Sequence, residues 1–90
     1  MSITFDPAKR DATLAERGLD FVDAGTVLEN LRFQWIDDRY DYGEKRIAAI
    51  GLLNDRMVVV VWTERGADRH IISMRHAHDK ELRRLKIRMD

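Results

Sequence analysis

Glu44, Arg46, Glu64, Arg65, Arg69, Arg75 and His76 are residue types that can act on a phosphodiester without a metal, and all stand at strand ends or adjoining turns. RNA brings its own nucleophile, the 2′-hydroxyl. A protein working on it must orient that group, take its proton, protonate the departing 5′ oxygen and stabilise the extra charge on the phosphate. Arginine suits the last task because it hydrogen-bonds in bidentate fashion. Histidine, with an ordinary pKa of about 6.5, or a glutamate can exchange the proton. Such residues crowd the stretch IISMRHAHDKELRRL, residues 71–85, where an apolar segment runs into a basic one and His70, Arg75, His76 and His78 lie close together. Charged strand ends are common in sheet proteins, so a solvated-edge role competes at each position.

Other chemistries lack their residues. There is no cysteine, hence no disulfide framework, thiolate metal site or Cys nucleophile. His76 and His78 are two apart and point to opposite faces if extended, and no spacing supplies a third metal ligand. No glycine-rich strand–loop–helix phosphate motif occurs, and Gly43 and Gly66 read as isolated turn glycines. Ser73 lacks a neighbouring elbow glycine and falls inside a strand. No cofactor is expected.

Ninety residues with 44% apolar and 36% charged side chains fit one small domain, residues 1–90, with a single core. The net charge is zero, which argues against a general nucleic-acid coating protein. The distribution is uneven: residues 1–45 hold 6 Lys+Arg against 10 Asp+Glu, residues 46–90 hold 10 against 6, and residues 69–88 hold 7 against 2. A basic C-terminal face still permits local binding to an anion or to RNA. The opening residues lack the apolar run of a signal peptide, and Met57–Trp62 is too short to cross a bilayer, so a cytoplasmic location with no membrane contact is expected.

The elements that must position these groups follow from periodicity and punctuation. Ile3–Phe5 reads as a first strand. Asp6 and Pro7 read as the cap and first residue of a helix ending at Gly18. Asp20 opens a second helix with Phe21, Ala24, Val27 and Leu28 on one face. Strands are expected over Phe33–Ile36, Lys45–Leu53, Met57–Thr63 and Arg69–Met74, with turns at Asn54-Asp55 and Gly66–Asp68. Met57–Thr63 is nearly continuous valine, which predicts a central strand buried on both faces. Asp79–Met89 is expected to be a helix with Leu82, Leu85 and Met89 on one stripe and Arg83, Arg84, Lys86 and Arg88 mostly off it. The order β-α-α-β-β-β-β-α predicts an α+β fold: an antiparallel four- to five-stranded sheet packed by two N-terminal helices and one C-terminal helix. Trp35 and Trp62 read as core or partner-anchoring residues.

Several ordered pieces of the chain resemble one family. They are F-D-P-A-K (residues 5–9) with G-L-D-F (18–21), Y-G-E-K-R (42–46), and T-E-R-G followed by R-H-I-I-S-M-R-H-A (63–66 and 69–77). Together they resemble the BrnT toxins of bacterial type II toxin–antitoxin systems, over nearly the whole chain. The resemblance implies a RelE-like microbial RNase fold and a metal-independent ribonuclease that cleaves RNA and inhibits translation. It also implies a BrnA-type antitoxin that dimerises through a ribbon-helix-helix module and reaches operator DNA, so that the toxin meets DNA only through its partner.

Arg46 and Arg75 match the family's pattern and are the expected phosphate or transition-state clamps. Glu64 and Arg65 match as further catalytic candidates, beside a turn that offers them a structural role instead. Lys9, Arg69, Arg83 and Arg84 are the expected RNA-binding cations, and Glu81 belongs to the charged motif of the last helix. The chain also departs from the pattern. Members commonly carry Arg or Lys where this sequence has His70, His76 and His78, and an aromatic near Leu85. The exchange makes the charge pH-dependent or adds an acid/base group, of which His76 is the catalytic candidate. The alternative reading is a non-catalytic module that only binds its antitoxin partner and co-regulates the operon.

Overall fold

The computed structural model describes residues 2–89, with side chains described through residue 86. Its elements run β1 (Ile3–Phe5), α1 (Pro7–Arg17), α2 (Ala24–Glu29), β2 (Leu31–Ile36), β3 (Ile47–Leu53), β4 (Arg56–Arg65), β5 (Asp68–His76) and α3 (Asp79–Met89), with a 3-10 turn at Phe21–Asp23 leading into α2. The α+β order is as expected. The side chains of Arg88 and Met89, placed off and on the α3 stripe by the sequence, lie outside the described residues.

Capping sets the N-terminal boundaries. The Asp6 carboxylate accepts the Ala8 N–H at 3.0 Å, and Pro7 occupies the first helical position. α1 stops at Gly18, whose φ of +70° is left-handed and whose N–H donates to the Leu14 carbonyl at 3.0 Å. Asp20 accepts the Val22 N–H and binds Arg10 of α1 through both carboxylate oxygens, at 2.9 and 2.8 Å. The second helix is shorter than expected, because residues 21–23 wind as 3-10 before α2 begins.

The sheet order is β1-β5-β4-β3-β2. β2 to β5 form the antiparallel meander read from the sequence. The expectation of a wholly antiparallel sheet is corrected: β1 lies parallel to β5, with Ile3 opposite Arg69 and Phe5 opposite Ile71, so the sheet is mixed. A three-residue strand carries no period from which a partner or direction can be read. Its place is set by the route of the chain. α1 and α2 cross one face of the sheet to deliver β2 at the far edge, and the meander returns strand by strand to β1.

β4 is buried on both faces, as its valines predict. Val58, Val60 and Trp62 join the core under α1 and α2, while Val59 and Val61 join a smaller cluster with Leu85 of α3. The Asn54-Asp55 turn before β4 has φ of +50° and +65°, the paired left-handed geometry of a tight hairpin. α2 presses closely on β3. A Cβ at Gly51 would overlap the Val27 carbonyl oxygen and stand 3.0 Å from that of Asn30.

β5 contains a bulge. Val61 pairs with Ser73 but Trp62 pairs with Ile71, leaving Ile72 as the extra residue. Ile71 enters the core beneath α1 and α2, whereas Ile72 packs on the α3 side. Residues five apart point to opposite faces of a regular strand. The bulge puts His70 and Arg75 on the same one. Among the described residues no helix is long and apolar enough to cross a membrane.

Candidate functional site

Two rows of side chains cross the α3 side of the sheet. Arg75, Val59, Ile50 and Phe33 form one row, and Ser73, Val61, Ala48 and Trp35 form the next. They line a cleft of about 470 Å3, walled by Glu81, Arg84 and Leu85 of α3 and bounded at the β2 end by Asp37 and Arg39. Phe33 and Trp35 are two apart and share a face. Their rings stack with centroids 6.1 Å apart and 24° between planes. The cleft has an apolar floor, an aromatic side and a charged rim.

Arg75 and Glu81 fix the relation of α3 to the sheet. The Arg75 guanidinium donates to both Glu81 oxygens, at 2.7 and 2.8 Å, and Glu81 also accepts the His78 N–H at 2.8 Å. That backward bond is the carboxylate half of a capping box, which starts α3 at Asp79. Hydrogen bonding from Arg75, reinforced by the His78 N–H against the opposing effect of burial, holds the Glu81 carboxyl at about 2, below its ordinary 4.5. Leu85 is buried, but Leu82, expected on the same apolar stripe, is 39% exposed. Among the described residues, α3 is held to the sheet by the buried Leu85 and the bidentate Arg75–Glu81 pair.

The low Glu81 pKa ties stability to pH. A carboxylate whose pKa is depressed by folding stabilises the fold above its unfolded pKa, near 4.5, and that contribution disappears as pH falls toward 2. Glu81→Gln should flatten the dependence of unfolding free energy on pH across this interval. Denaturant titrations between pH 4.5 and 2 measure it, and equal slopes in the two proteins would show that the pair adds nothing to stability.

A third, polar row continues the same face. His70 pairs with Thr63, and Arg46 precedes Ile47, whose partner is Trp62, which puts Arg46 beside Thr63. The Arg46 carbonyl accepts the Asp37 N–H at 2.8 Å. The Arg46 guanidinium lies 3.8 Å over the Tyr42 ring. Its Nε is 3.5 Å from Glu44, yet this buried atom has no hydrogen-bond partner among the described residues. His70 shares a 2.9 Å hydrogen bond between its Nδ1 and the Thr4 hydroxyl. Burial first, and then Arg65, push its pKa down, partly offset by Glu44 and Asp6. At the β2 end Arg39 binds buried Asp37 at 2.8 and 3.1 Å and Tyr42 adds a 3.4 Å bond, which together depress the Asp37 carboxyl.

The residues expected to act together are thus divided. Arg75 and Arg84 line the cleft, and Arg46 lies on its face about 13 Å along β3 from the Arg75 row, at roughly 3.3 Å per residue. Arg65 and Lys9 are exposed and close enough to His70 to lower its pKa. Arg83 is exposed on α3. Glu64 pairs with Arg69, and Arg69 lies 5.3 Å over Trp62, on the face covered by α1 and α2. His76 opposes Val58 on that face too, and its buried Nδ1 has no hydrogen-bond partner among the described residues. Trp62 is a core residue at 4% exposure, whereas Trp35 is a half-buried wall of the cleft. The sequence shows Phe33–Ile36 only as a strand; that Phe33, Trp35 and Asp37 line a cleft depends on where α3 lies.

Among the described residues no three His, Cys, Asp or Glu side chains converge as a metal-binding group. No curated protein matches the sequence. The model of the ribonuclease toxin BrnT of type II toxin–antitoxin systems matches residues 5–81, from the end of β1 through the Glu81 that holds Arg75. This chain belongs to the BrnT family of type II ribonuclease toxins, and its partner is an antitoxin.

Proposed function

We propose that residues 1–90 act as a single toxin domain, a metal-independent endoribonuclease whose RNA lies along the α3 side of the sheet and whose cleavage of RNA inhibits translation. The observation that supports this most is the cleft itself, which joins Arg75 and Arg84 to an aromatic wall on the same face as Arg46. Arg75 and Arg84 meet the phosphates there. Glu81 takes one hydrogen from each of two Arg75 nitrogens, and the guanidinium carries further N–H donors for an oxyanion. Arg46, with a buried donor in reserve, holds the charge at the other end of the face, where Arg65 and Lys9 extend the grip. Glu64 and His76, expected as catalytic residues, and Arg69, expected as an RNA-binding cation, face the layer of α1 and α2, and we give them no part in the cleft.

The fold is read as RelE-like and the location as the cytoplasm. The antitoxin is read as a BrnA-type ribbon-helix-helix protein that carries the complex to operator DNA. Purified protein should cleave single-stranded RNA with EDTA present, and induction of the chain without its partner should arrest bacterial growth. Cleavage lost on chelation would remove metal independence. A folded chain that neither cleaves RNA nor arrests growth would leave the second reading, a non-catalytic antitoxin-binding module. That reading draws on Arg75 and Arg39 both being already paired with carboxylates.

A further inference from the structure

We propose that Trp35, backed by Phe33, is the platform on which the cleft stacks an unpaired nucleobase. This rests on the ribonuclease reading above and adds to it the part of the RNA that the cleft receives.

The physical basis is where the aromatic surface lies. β2 is an edge strand, and its two rings on the α3 side pack against the small cluster that includes Leu85 and line the cleft with it. Trp35 packs against the small cluster of Ala48, Ile50, Val59 and Val61, stacks on Phe33, and remains half-buried as a wall of the cleft. A side chain committed to the core would be closed over, as Trp62 is at 4% exposure. The rim gives the occupant its charge. Arg39, Arg75 and Arg84 stand against Asp37 and Glu81, an excess of one cation, and all five line the cavity. An apolar planar group flanked by anionic groups fits an aromatic wall between guanidinium rims. A base on a sugar-phosphate chain has that chemistry.

The same arrangement selects for single strands. A base can lie on the Trp35 ring only with its face free, and a duplex keeps its base faces stacked inside. The cleft is also bounded by α3 on one side and the Asp37–Arg39 pair on the other, and an exposed base can enter between them.

Trp35→Ala should raise KM for a single-stranded RNA about 5- to 150-fold, the range measured for one stacked base, with kcat within a few fold of the parent. Trp35→Phe keeps a ring in place and should recover most of that loss, which separates stacking from a general loss of folding. Binding is read independently of cleavage with a 2′-fluoro single-stranded RNA 12-mer, which cannot be cut. It should quench the tryptophan emission of the native chain, and the quench should vanish in Trp35→Phe. A duplex of the same sequence should leave emission unchanged. The proposal is overturned if the 12-mer binds without quenching, if duplex quenches equally, or if folded Trp35→Ala cleaves with the parent KM. Quenching in a parent that cuts no RNA would sink the ribonuclease reading and leave the platform standing.

Discussion

Arg75→Ala is expected to lower the single-turnover rate of RNA cleavage about 100- to 1,000-fold, the cost of removing one preorganised donor to a developing oxyanion. Arg75 sits in the first row of the cleft with its guanidinium aimed by both Glu81 oxygens, so its remaining N–H groups need no reorganisation when charge gathers on a phosphate. The substitution also leaves the Glu81 carboxylate, whose side chain is 20% exposed, without its cation at the edge of the proposed RNA site. That adds repulsion to the loss of attraction. Arg75→Lys keeps the charge but cannot bridge two carboxylate oxygens in a plane, and it should recover only a small part of the rate. Circular dichroism must show both variants folded. A folded Arg75→Ala protein that cleaves within tenfold of the parent would remove Arg75 from the transition state.

Gly51→Ala is expected to destabilise the fold by about 3 kcal/mol, at the upper end of ordinary overpacking, because the obstacle is backbone rather than a movable side chain. The added methyl would overlap the Val27 carbonyl oxygen at the end of α2 and crowd that of Asn30, whose N–H is already committed to α2 carbonyls. For a domain of this size that loss corresponds to a Tm lower by about 12–24 °C. Scanning calorimetry settles it: a shift under about 4 °C would mean that α2 slides outward at little cost. The cleft lies on the other face of β3, so molecules that remain folded should cleave RNA at the parent rate.

The comparison of sequence with structure divides along physical lines. Elements whose signal is local were readable: the Asp6–Pro7 start, the Gly18 stop, the Asn54-Asp55 hairpin and the doubly buried valine strand each depend on neighbouring residues. The direction of β1 was not, since it depends on which edge the helical crossing leaves vacant. The grouping of the site was readable only in part. Period-two alternation assigns faces correctly until a bulge shifts the phase, and Ile72 does that between His70 and Arg75. Counting strand ends gathered Glu64, Arg69 and His76 with Arg75, although each points toward the layer of α1 and α2. From the sequence Glu81 reads as a charged helix residue. Its role as the partner of Arg75 needed the angle at which α3 leaves β5.

The parallel pairing of β1 with β5 has a consequence for synthesis. The Thr4–His70 hydrogen bond joins residues 66 apart, so the first strand made must wait for nearly the last before its edge of the sheet can close. At about 5–20 residues per second, that wait on the ribosome is about 3–13 s. β5 also carries Arg75, and the cleft wall needs Arg84 and Leu85 beyond it. A chain cut before Leu85 lacks residues that line the cleft. On the reading proposed above, the cleft therefore forms only once both β5 and the first turns of α3 have left the ribosome.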